Sequence, residues 1–136
     1  MPAIEIDKKS SEEAAFNMQS CGWNKRLECL NISLQNFNTT EKFDLIVSNP
    51  PFFEGTTTSG NSQRDTARHT DCLSYLELLQ KSKELLQQDG TLAIVFPKDS
   101  FDKISQIAAK IGLFQKRASY LKGNENSKIK RVLLEL

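Results

Sequence analysis

The stretch FDLIVSNPPFFEGT contains Asn49, Pro50, Phe52 and Phe53. Residues of these types can bind a flat chemical group that carries an NH₂. The asparagine side-chain oxygen and a proline carbonyl can both accept hydrogen bonds from an NH₂ group. An aromatic ring offers a face on which a planar group can stack. The sequence therefore raises the possibility of a binding site at this point of the chain.

The same stretch also has a simpler interpretation, a buried strand Leu45-Ile46-Val47 followed by an ordinary loop with two core phenylalanines. Proline has no N–H to donate, so Pro50 and Pro51 end the strand. The residue before each proline is held in an extended conformation. Spacing alone leaves both interpretations open, and the rest of the chain must separate them.

Composition is that of one globular domain, residues 1–136, with 38% hydrophobic and 26% charged residues and a net charge of +1. Three irregularly spaced cysteines and a single histidine argue against a disulfide framework and against a metal site. No apolar run has membrane length, and Met1-Pro2-Ala3 does not begin a secretory leader. We therefore expect a cytoplasmic protein that binds no metal and no membrane.

Hydrophobic periodicity predicts an alternation of strands and helices along the chain. The predicted order is strand, helix, strand, strand, helix, strand, helix, strand, strand. The strands are 3–6, 27–32, 43–47, 91–96, 113–121 and 129–136, and the helices end near Ser20, Asp89-Gly90 and Gly112. Such alternation is typical of an α/β fold with a mostly parallel sheet, here with an antiparallel hairpin at its end.

Ligands of open parallel sheets bind beyond the carboxyl ends of the strands. Glu5 and Asn49 both follow predicted strands at that edge. This placement favours the functional interpretation of Asn49 and its neighbours.

These residues resemble those of a known family. A strand ending in an acidic residue, followed by one ending in Asn49-Pro50-Pro51-Phe52, resembles the class I S-adenosylmethionine-dependent methyltransferases that methylate planar amino groups. The segments AIEIDKKSSEEAAFNMQSCGW, FDLIVSNPPFF, RDTARHT and RVLLEL are more specifically similar to the YfiC-type bacterial tRNA (adenine-N6)-methyltransferases, which modify valine tRNA beside the anticodon. The similarity extends over nearly the whole chain but only over the later part of such an enzyme.

The resemblance implies a Rossmann-like methyltransferase sheet, S-adenosylmethionine as cofactor and tRNA as partner. It implies that Asn49 and Pro50 hold the target amino group, with Asn49 also beside the cofactor, and that Phe52 stacks on the base. The gain in rate would come from orientation and electrostatics rather than from a strong base. Glu5 would accept hydrogen bonds from both ribose hydroxyls of the cofactor. The remaining implied contacts are Ser33 with the cofactor's adenine, and Phe53, Arg64 and Arg68 with the substrate.

Two departures from the family pattern stand out. Ser33 occupies a position where relatives have an aspartate, so its hydrogen bond would lack assistance from a charge. None of the six glycines forms the Gly-rich loop that follows the family's first strand, so that strand and its helix are missing. We therefore expect weak or undetectable S-adenosylmethionine binding to this chain in calorimetry. Sheet edges left open by the missing strand would allow a homo-oligomer or strand exchange, unless the strands at Ile4 and Ile46 pair directly.

Other interpretations stay open at this point. Arg64, Arg68 and His69 could contact tRNA phosphates or be solvated loop charges. The basic residues of the last third could face tRNA or protect an edge strand from pairing. The Asn-Pro-Pro-aromatic motif alone also permits glutamine methylation of release factors. A truncated, inactive remnant that binds RNA or a partner chain is the non-enzymatic alternative.

Overall fold

The computed structural model describes residues 1–50 and 73–136. Within them the predicted order of strands and helices is confirmed, with two short 3-10 turns at Asn24–Arg26 and Lys98–Ser100. The elements are β1 (Pro2–Glu5), α1 (Lys8–Ser20), β2 (Glu28–Asn31), β3 (Phe43–Ser48), α2 (Tyr75–Leu85), β4 (Leu86–Pro97), α3 (Phe101–Lys110), β5 (Arg117–Leu121) and β6 (Arg131–Glu135).

The described residues form two compact units, Met1–Thr40 and Glu41–Leu136. In the first unit β1 and β2 form a parallel pair, and in the second the strand order is β3-β4-β6-β5. The suggested direct pairing of the strands at Ile4 and Ile46 is not found among the described residues. Ile4 pairs with Leu30 and Ile46 pairs with Leu92.

The first unit is a strand–helix–strand element. Helix α1 begins after Asp7, whose carboxylate accepts a hydrogen bond from the backbone N–H of Ser10 at 2.8 Å. This is a typical N-cap. The buried Ser11 hydroxyl lies 3.6 Å from the Cys29 sulfur, which connects α1 to β2.

The second unit contains the main core. Strands β3 and β4 are parallel, whereas β6 runs antiparallel to both β4 and β5, as the sequence predicted for the last two strands. Side chains from β4, α2, α3 and β6 meet in this core, and those with no exposed surface are Leu79, Leu92, Phe96, Ile104, Val132 and Leu134. Ala93 and Val95, on the other face of β4, are half-buried.

The prediction that Leu45-Ile46-Val47 form a buried strand is wrong. Leu45 and Val47 are 58% and 73% exposed, and Ile46 is half-buried. The reason is that β3 lies at the edge of its sheet, and no described element of its unit covers the face formed by Leu45 and Val47. A strand that is hydrophobic on both faces is typical of a position inside a parallel sheet.

The predicted end of the second helix at Asp89-Gly90 is also wrong. Helix α2 ends at Leu85, and β4 begins at the buried Leu86, which pairs with Phe43. The register of the β3–β4 pairing then shifts, so that Leu45 lies opposite Thr91. A Cβ at Gly90 would lie 2.8 Å from the Phe43 carbonyl oxygen, so the glycine allows close approach of two backbones rather than ending a helix.

Glycine does end the next helix, as predicted. Helix α3 is followed by Gly112 at φ +77°, a left-handed conformation that favours glycine. The two C-terminal strands are shorter than the predicted ranges 113–121 and 129–136. They are nevertheless antiparallel as predicted, with Leu121 opposite Arg131 at the turn.

Replacement of Ser74 by alanine should destabilise the second unit. Ser74 and Glu77 form a capping box, in which the Ser74 hydroxyl accepts from the Glu77 N–H at 3.2 Å and the Glu77 carboxylate accepts from the Ser74 N–H at 2.9 Å. We expect Ser74→Ala to lower the free energy of unfolding by about 1 kcal/mol in urea titrations. Gln80→Ala, at an exposed position of the same helix, should not lower it. Equal losses in the two variants would contradict a role for the cap.

Candidate active site

The carboxyl ends of β3 and β4 define one edge of the second unit's sheet, and Asn49 lies there. Asn49 directly follows the last residue of β3, Ser48, and its side chain is exposed. Pro50, the next residue, is buried. The amide of Asn49 is thus open to a ligand, while the adjoining proline is fixed in the protein interior.

The predicted partners of Asn49 cannot be placed beside it. Phe52, Phe53, Arg64 and Arg68 lie outside the described residues, as do Pro51 and His69. Their predicted contacts with substrate stay predictions. The roles predicted for Asn49 and Pro50 also stay predictions. The structure adds that Asn49 is exposed and that Pro50 is buried.

Glu5 lies at the carboxyl end of β1 in the first unit, as predicted. One carboxylate oxygen accepts a hydrogen bond from the backbone N–H of Asp7 at 2.8 Å, and the side chain is half-buried. This bond fixes the carboxylate relative to the turn between β1 and α1. A carboxylate has about four acceptor positions in all, so acceptors remain for a diol.

Asn31 positions the same turn, and the sequence analysis did not single it out. Its side-chain NH₂ group donates to the carbonyl oxygens of Glu5 at 2.9 Å and Ile6 at 3.0 Å. The last residue of β2 is thereby attached to the end of β1. The sequence did contain a signal for this role. Asn31 lies at the end of a predicted strand, as Glu5 does.

Ser33 follows β2 at the same edge of the first unit and is half-buried. Its hydroxyl oxygen accepts from the backbone N–H of Asn36 at 3.3 Å, and its carbonyl accepts from that of Phe37 at 3.0 Å. A hydroxyl has two acceptor lone pairs and one donor, so one acceptor remains for a ligand amine. The structure therefore groups Glu5, Asn31 and Ser33 in the first unit, and Asn49 belongs to the second.

The Asp7 cap next to Glu5 should make stability depend on acidity. The backbone N–H and then the hydroxyl of Ser10 lower the pKa of Asp7 below its usual 3.8. A lowered folded-state pKa stabilises the fold above pH 3.8, and this contribution is lost as pH falls through the folded-state value. We expect NMR titration to give an Asp7 midpoint below 3.8, and Asp7→Asn to show a weaker dependence of unfolding on pH in that window. An Asp7 midpoint above 3.8 would contradict the cap.

A concave feature lies at the opposite end of the first unit from Glu5. A surface pocket of about 540 Å³ is lined by Met1, Trp23, Arg26 and Leu27, near the amino ends of β1 and β2. Glu5 and Ser33 are not among its lining residues, so this pocket is not the predicted cofactor site. In residues 1–50 and 73–136 no group of three or more His, Cys, Asp or Glu side chains could hold a metal ion. No helix in that part of the chain is both long enough and apolar enough for a membrane span.

Comparison with protein families gives one match over most of the chain. Residues 3–128 match the family described as Eco57I restriction-modification methylase. The chain belongs to this methylase family. The resemblance to S-adenosylmethionine-dependent methyltransferases found in the sequence is thus confirmed at the level of the family.

Two curated relatives of this methylase-family chain have the same name. A protein of Bacteroides fragilis, named tRNA1(Val) (adenine(37)-N6)-methyltransferase, is 40% identical over 135 residues, 97% of this chain and 57% of the relative. A protein of Trichodesmium erythraeum with the same name is 38% identical over 136 residues, 98% of this chain and 57% of the relative. The chain therefore spans little more than half the length of the curated relatives it matches.

Solved structures confirm the predicted Rossmann-like α/β fold of the methylase-family chain. A methyltransferase from Pyrococcus furiosus matches 98% of this chain and 60% of its own with a TM-score of 0.69 at 20% identity. The glycopeptide N-methyltransferase MtfA, solved with S-adenosylmethionine, gives the same TM-score at 9% identity over 98% of this chain and 70% of its own. At these identities the similarity concerns the fold alone.

Proposed function

We propose that this chain contains the base-holding and ribose-holding parts of a cytoplasmic, S-adenosylmethionine-dependent methyltransferase that modifies N6 of an adenine beside the anticodon of valine tRNA. The observation on which the proposal rests is the 40% identity, over 97% of this chain, with a relative named for that reaction. The exposed amide of Asn49 at the carboxyl end of β3 supports the same assignment.

Asn49 and Pro50 would act on the nucleophile. The N6 amino group of adenine is a poor nucleophile because its lone pair is delocalised into the ring. Hydrogen bonds from its two N–H groups to the Asn49 side-chain oxygen and the Pro50 carbonyl would favour a more pyramidal nitrogen with a directed lone pair. The buried ring of Pro50 supports this geometry, since it fixes the backbone next to the amide. Phe52 would stack on the base.

Glu5 and Ser33 would hold the cofactor. S-adenosylmethionine supplies the methyl group from a positively charged sulfur. The free acceptor positions of the Glu5 carboxylate suit the two ribose hydroxyls, and the turn that presents them is fixed by Asp7 and Asn31. The remaining lone pair of Ser33 suits the adenine amine, without the charge that an aspartate would provide.

The residues of this chain fit only part of a cofactor site. A Gly-rich loop, which lets a backbone approach the cofactor closely, is absent from the sequence. We therefore propose that methyl transfer requires the portion of the relatives that this chain does not match. The edge of β3, with Leu45 and Val47 exposed, is where we expect a further strand to pair, from that portion or from a second copy.

A methyl-transfer assay tests the proposal. The chain alone would be compared with a chimera that places the unmatched portion of the Bacteroides fragilis relative ahead of it. Both would be incubated with labelled S-adenosylmethionine and either an unmodified valine tRNA transcript or a bacterial release factor. We expect the chimera to label the tRNA at N6 of one adenine and the chain alone to label it far more slowly.

The other outcomes distinguish the alternatives. Labelling of the release factor instead of the tRNA would replace the proposal with glutamine methylation, which the Asn49 motif also permits. A chimera that labels neither substrate, while it folds and binds the cofactor, would favour a remnant that serves as a binding module.

A further inference from the structure

The turn between β5 and β6, residues 122–130, lies at the same sheet edge as Asn49. Strand β4 ends at Pro97, which pairs with Arg131 at the start of β6, and Arg131 pairs in turn with Leu121 at the end of β5. Because β3 and β4 are parallel, the carboxyl end of β3 that precedes Asn49 is at this edge too. The hairpin turn and the candidate site thus face the same side of the second unit.

This turn is strongly basic in a chain that is not. Together with Arg131 it has four basic side chains and one acidic side chain, Glu125, a net charge of +3 against +1 for the whole chain. The facing turn after β4 adds one charge of each sign, Lys98 and Asp99, so the excess remains. The exposed basic residues of the hairpin are Lys122, Lys128, Lys130 and Arg131.

Basic residues at the opposite end of the sheet have a different role, because their charges are already bound. The Lys116 amine donates to the Gly90 carbonyl at 3.0 Å and to the Thr91 hydroxyl at 2.9 Å. Arg117 forms an ion pair with Glu135, whose hydrogen bond and charge raise the pKa of Arg117 above its usual value. Among the described residues no ion pair involves Lys122, Lys128, Lys130 or Arg131. The cations near Asn49 are therefore the ones available to an external anion.

The basic turn is held in a defined conformation. The Ser127 hydroxyl and backbone N–H both donate to the Asn124 carbonyl, at 2.9 and 3.1 Å. The turn is attached to the end of β4 by the bond from the Lys98 N–H to the Lys130 carbonyl at 3.0 Å. Nearby, the Lys98 amine lies 5.6 Å from the centre of the Phe101 ring, which packs 6.0 Å from that of Tyr120. A fixed backbone reduces the entropy lost when these side chains bind.

An alternative role for these basic residues, prevention of edge-to-edge pairing with another sheet, explains their position less well. Charges that prevent edge-to-edge pairing lie along the edge strand itself. The edge strand here is β5, Arg117–Leu121, whose only charged residue already pairs with Glu135. Lys122, Lys128 and Lys130 lie beyond the last strand pair, in the turn. Arg131 lies on β6, which is paired on both sides, so none of these charges blocks a ladder.

We propose that the β5–β6 turn, with Arg131, binds phosphates of the substrate RNA and orients it toward Asn49. The inference rests on the proposed function for the identity of the RNA. Lysine and arginine contacts to phosphates position a nucleic acid without reading its sequence. They also make binding depend on salt, because each contact releases condensed counterions.

Direct binding measurements test this surface without any methyl transfer. The full chain, its Lys128→Ala/Lys130→Ala variant and a control variant Lys25→Ala/Lys110→Ala would be titrated with unmodified valine tRNA transcript at several salt concentrations. The control also removes two exposed lysines, and both lie outside the hairpin. We expect the hairpin variant to bind about tenfold or more weakly, and its slope of log K against log salt to fall by about 2. The control should keep the affinity and slope of the parent chain.

Each other result has a definite consequence. Equal affinities and slopes in the two variants, or no salt-dependent tRNA binding by the parent chain, would overturn the surface. The proposed surface would also be overturned if an acidic protein, such as a release factor, displaced bound labelled tRNA at concentrations at which unlabelled tRNA did not. If only the hairpin variant loses tRNA binding and the chimera does not methylate tRNA, the RNA-binding surface is supported and the proposed function is wrong. If the chimera methylates tRNA and the hairpin variant binds as well as the control, the proposed function is supported and the RNA-binding surface is wrong.

Discussion

Asn49→Ala in the chimera should lower kcat for tRNA methylation by about 10²–10³-fold. Removal of one preorganised hydrogen-bonding group at a reacting centre typically costs that much. The lost acceptor is the side-chain oxygen at the carboxyl end of β3, which is exposed in this structure. Single-turnover labelling with saturating tRNA and cofactor would measure the chemical step, and fits over cofactor concentration would show whether KM changes as well.

Two further variants separate chemistry from folding. Asn49→Asp keeps oxygen acceptors but adds a charge, so we expect a rate between those of the parent and the alanine variant. Asn17→Ala changes an exposed asparagine within α1, and it should leave the rate unchanged. Because Asn49 is exposed and lies outside any strand, Asn49→Ala should change the free energy of unfolding by no more than about 0.5 kcal/mol.

The assignment of Asn49 would be refuted by a clear outcome. If Asn49→Ala methylates tRNA at the parent rate while Phe52→Ala or Glu5→Ala does not, the target amino group is held elsewhere. If Asn49→Ala and Asn17→Ala lose activity equally, the loss reflects the fold rather than the site.

The sequence was sufficient for the order of the described elements and for the edge of the sheet at which Asn49 lies. Hydrophobic periodicity and helix signals such as Asp7 and Gly112 act locally, so they can be recognised without knowledge of the fold. Pro50 cannot donate a hydrogen bond to a strand ladder, so the end of β3 at Ser48 follows from local chemistry.

The errors arose where distant residues decide the local structure. Asp89-Gly90 has the composition of a helix end, yet the chain from Leu86 is extended because Leu86 pairs with Phe43 and Gly90 packs against the Phe43 carbonyl. Asn31 was overlooked because its bonds to the Glu5 and Ile6 carbonyls join residues 26 and 25 positions apart. The exposure of Leu45 and Val47 depends on which strands flank β3, which periodicity does not specify.

Phe96→Ala should be the most destabilising single change in the second unit's core that we consider. Phe96 has no exposed surface, and its ring stacks 6.4 Å from the ring of Phe101. Truncation of a buried phenylalanine to alanine typically costs about 3–5 kcal/mol, because apolar contacts are lost and a cavity remains. Domains of this size are stable by about 5–15 kcal/mol, so the variant should unfold at a much lower urea concentration or fail to fold at 25 °C.

A matched variant tests whether burial is the cause. Phe114 is 70% exposed, so Phe114→Ala should change the free energy of unfolding by no more than about 0.5 kcal/mol. Phe96→Leu fills most of the cavity and should recover most of the loss. Phe96 also immediately precedes Pro97 and the Lys98–Lys130 bond that attaches the basic turn to β4. Phe96→Leu should therefore keep tRNA binding close to that of the parent, whereas equal urea midpoints for Phe96→Ala and Phe114→Ala would mean that this core does not stabilise the unit.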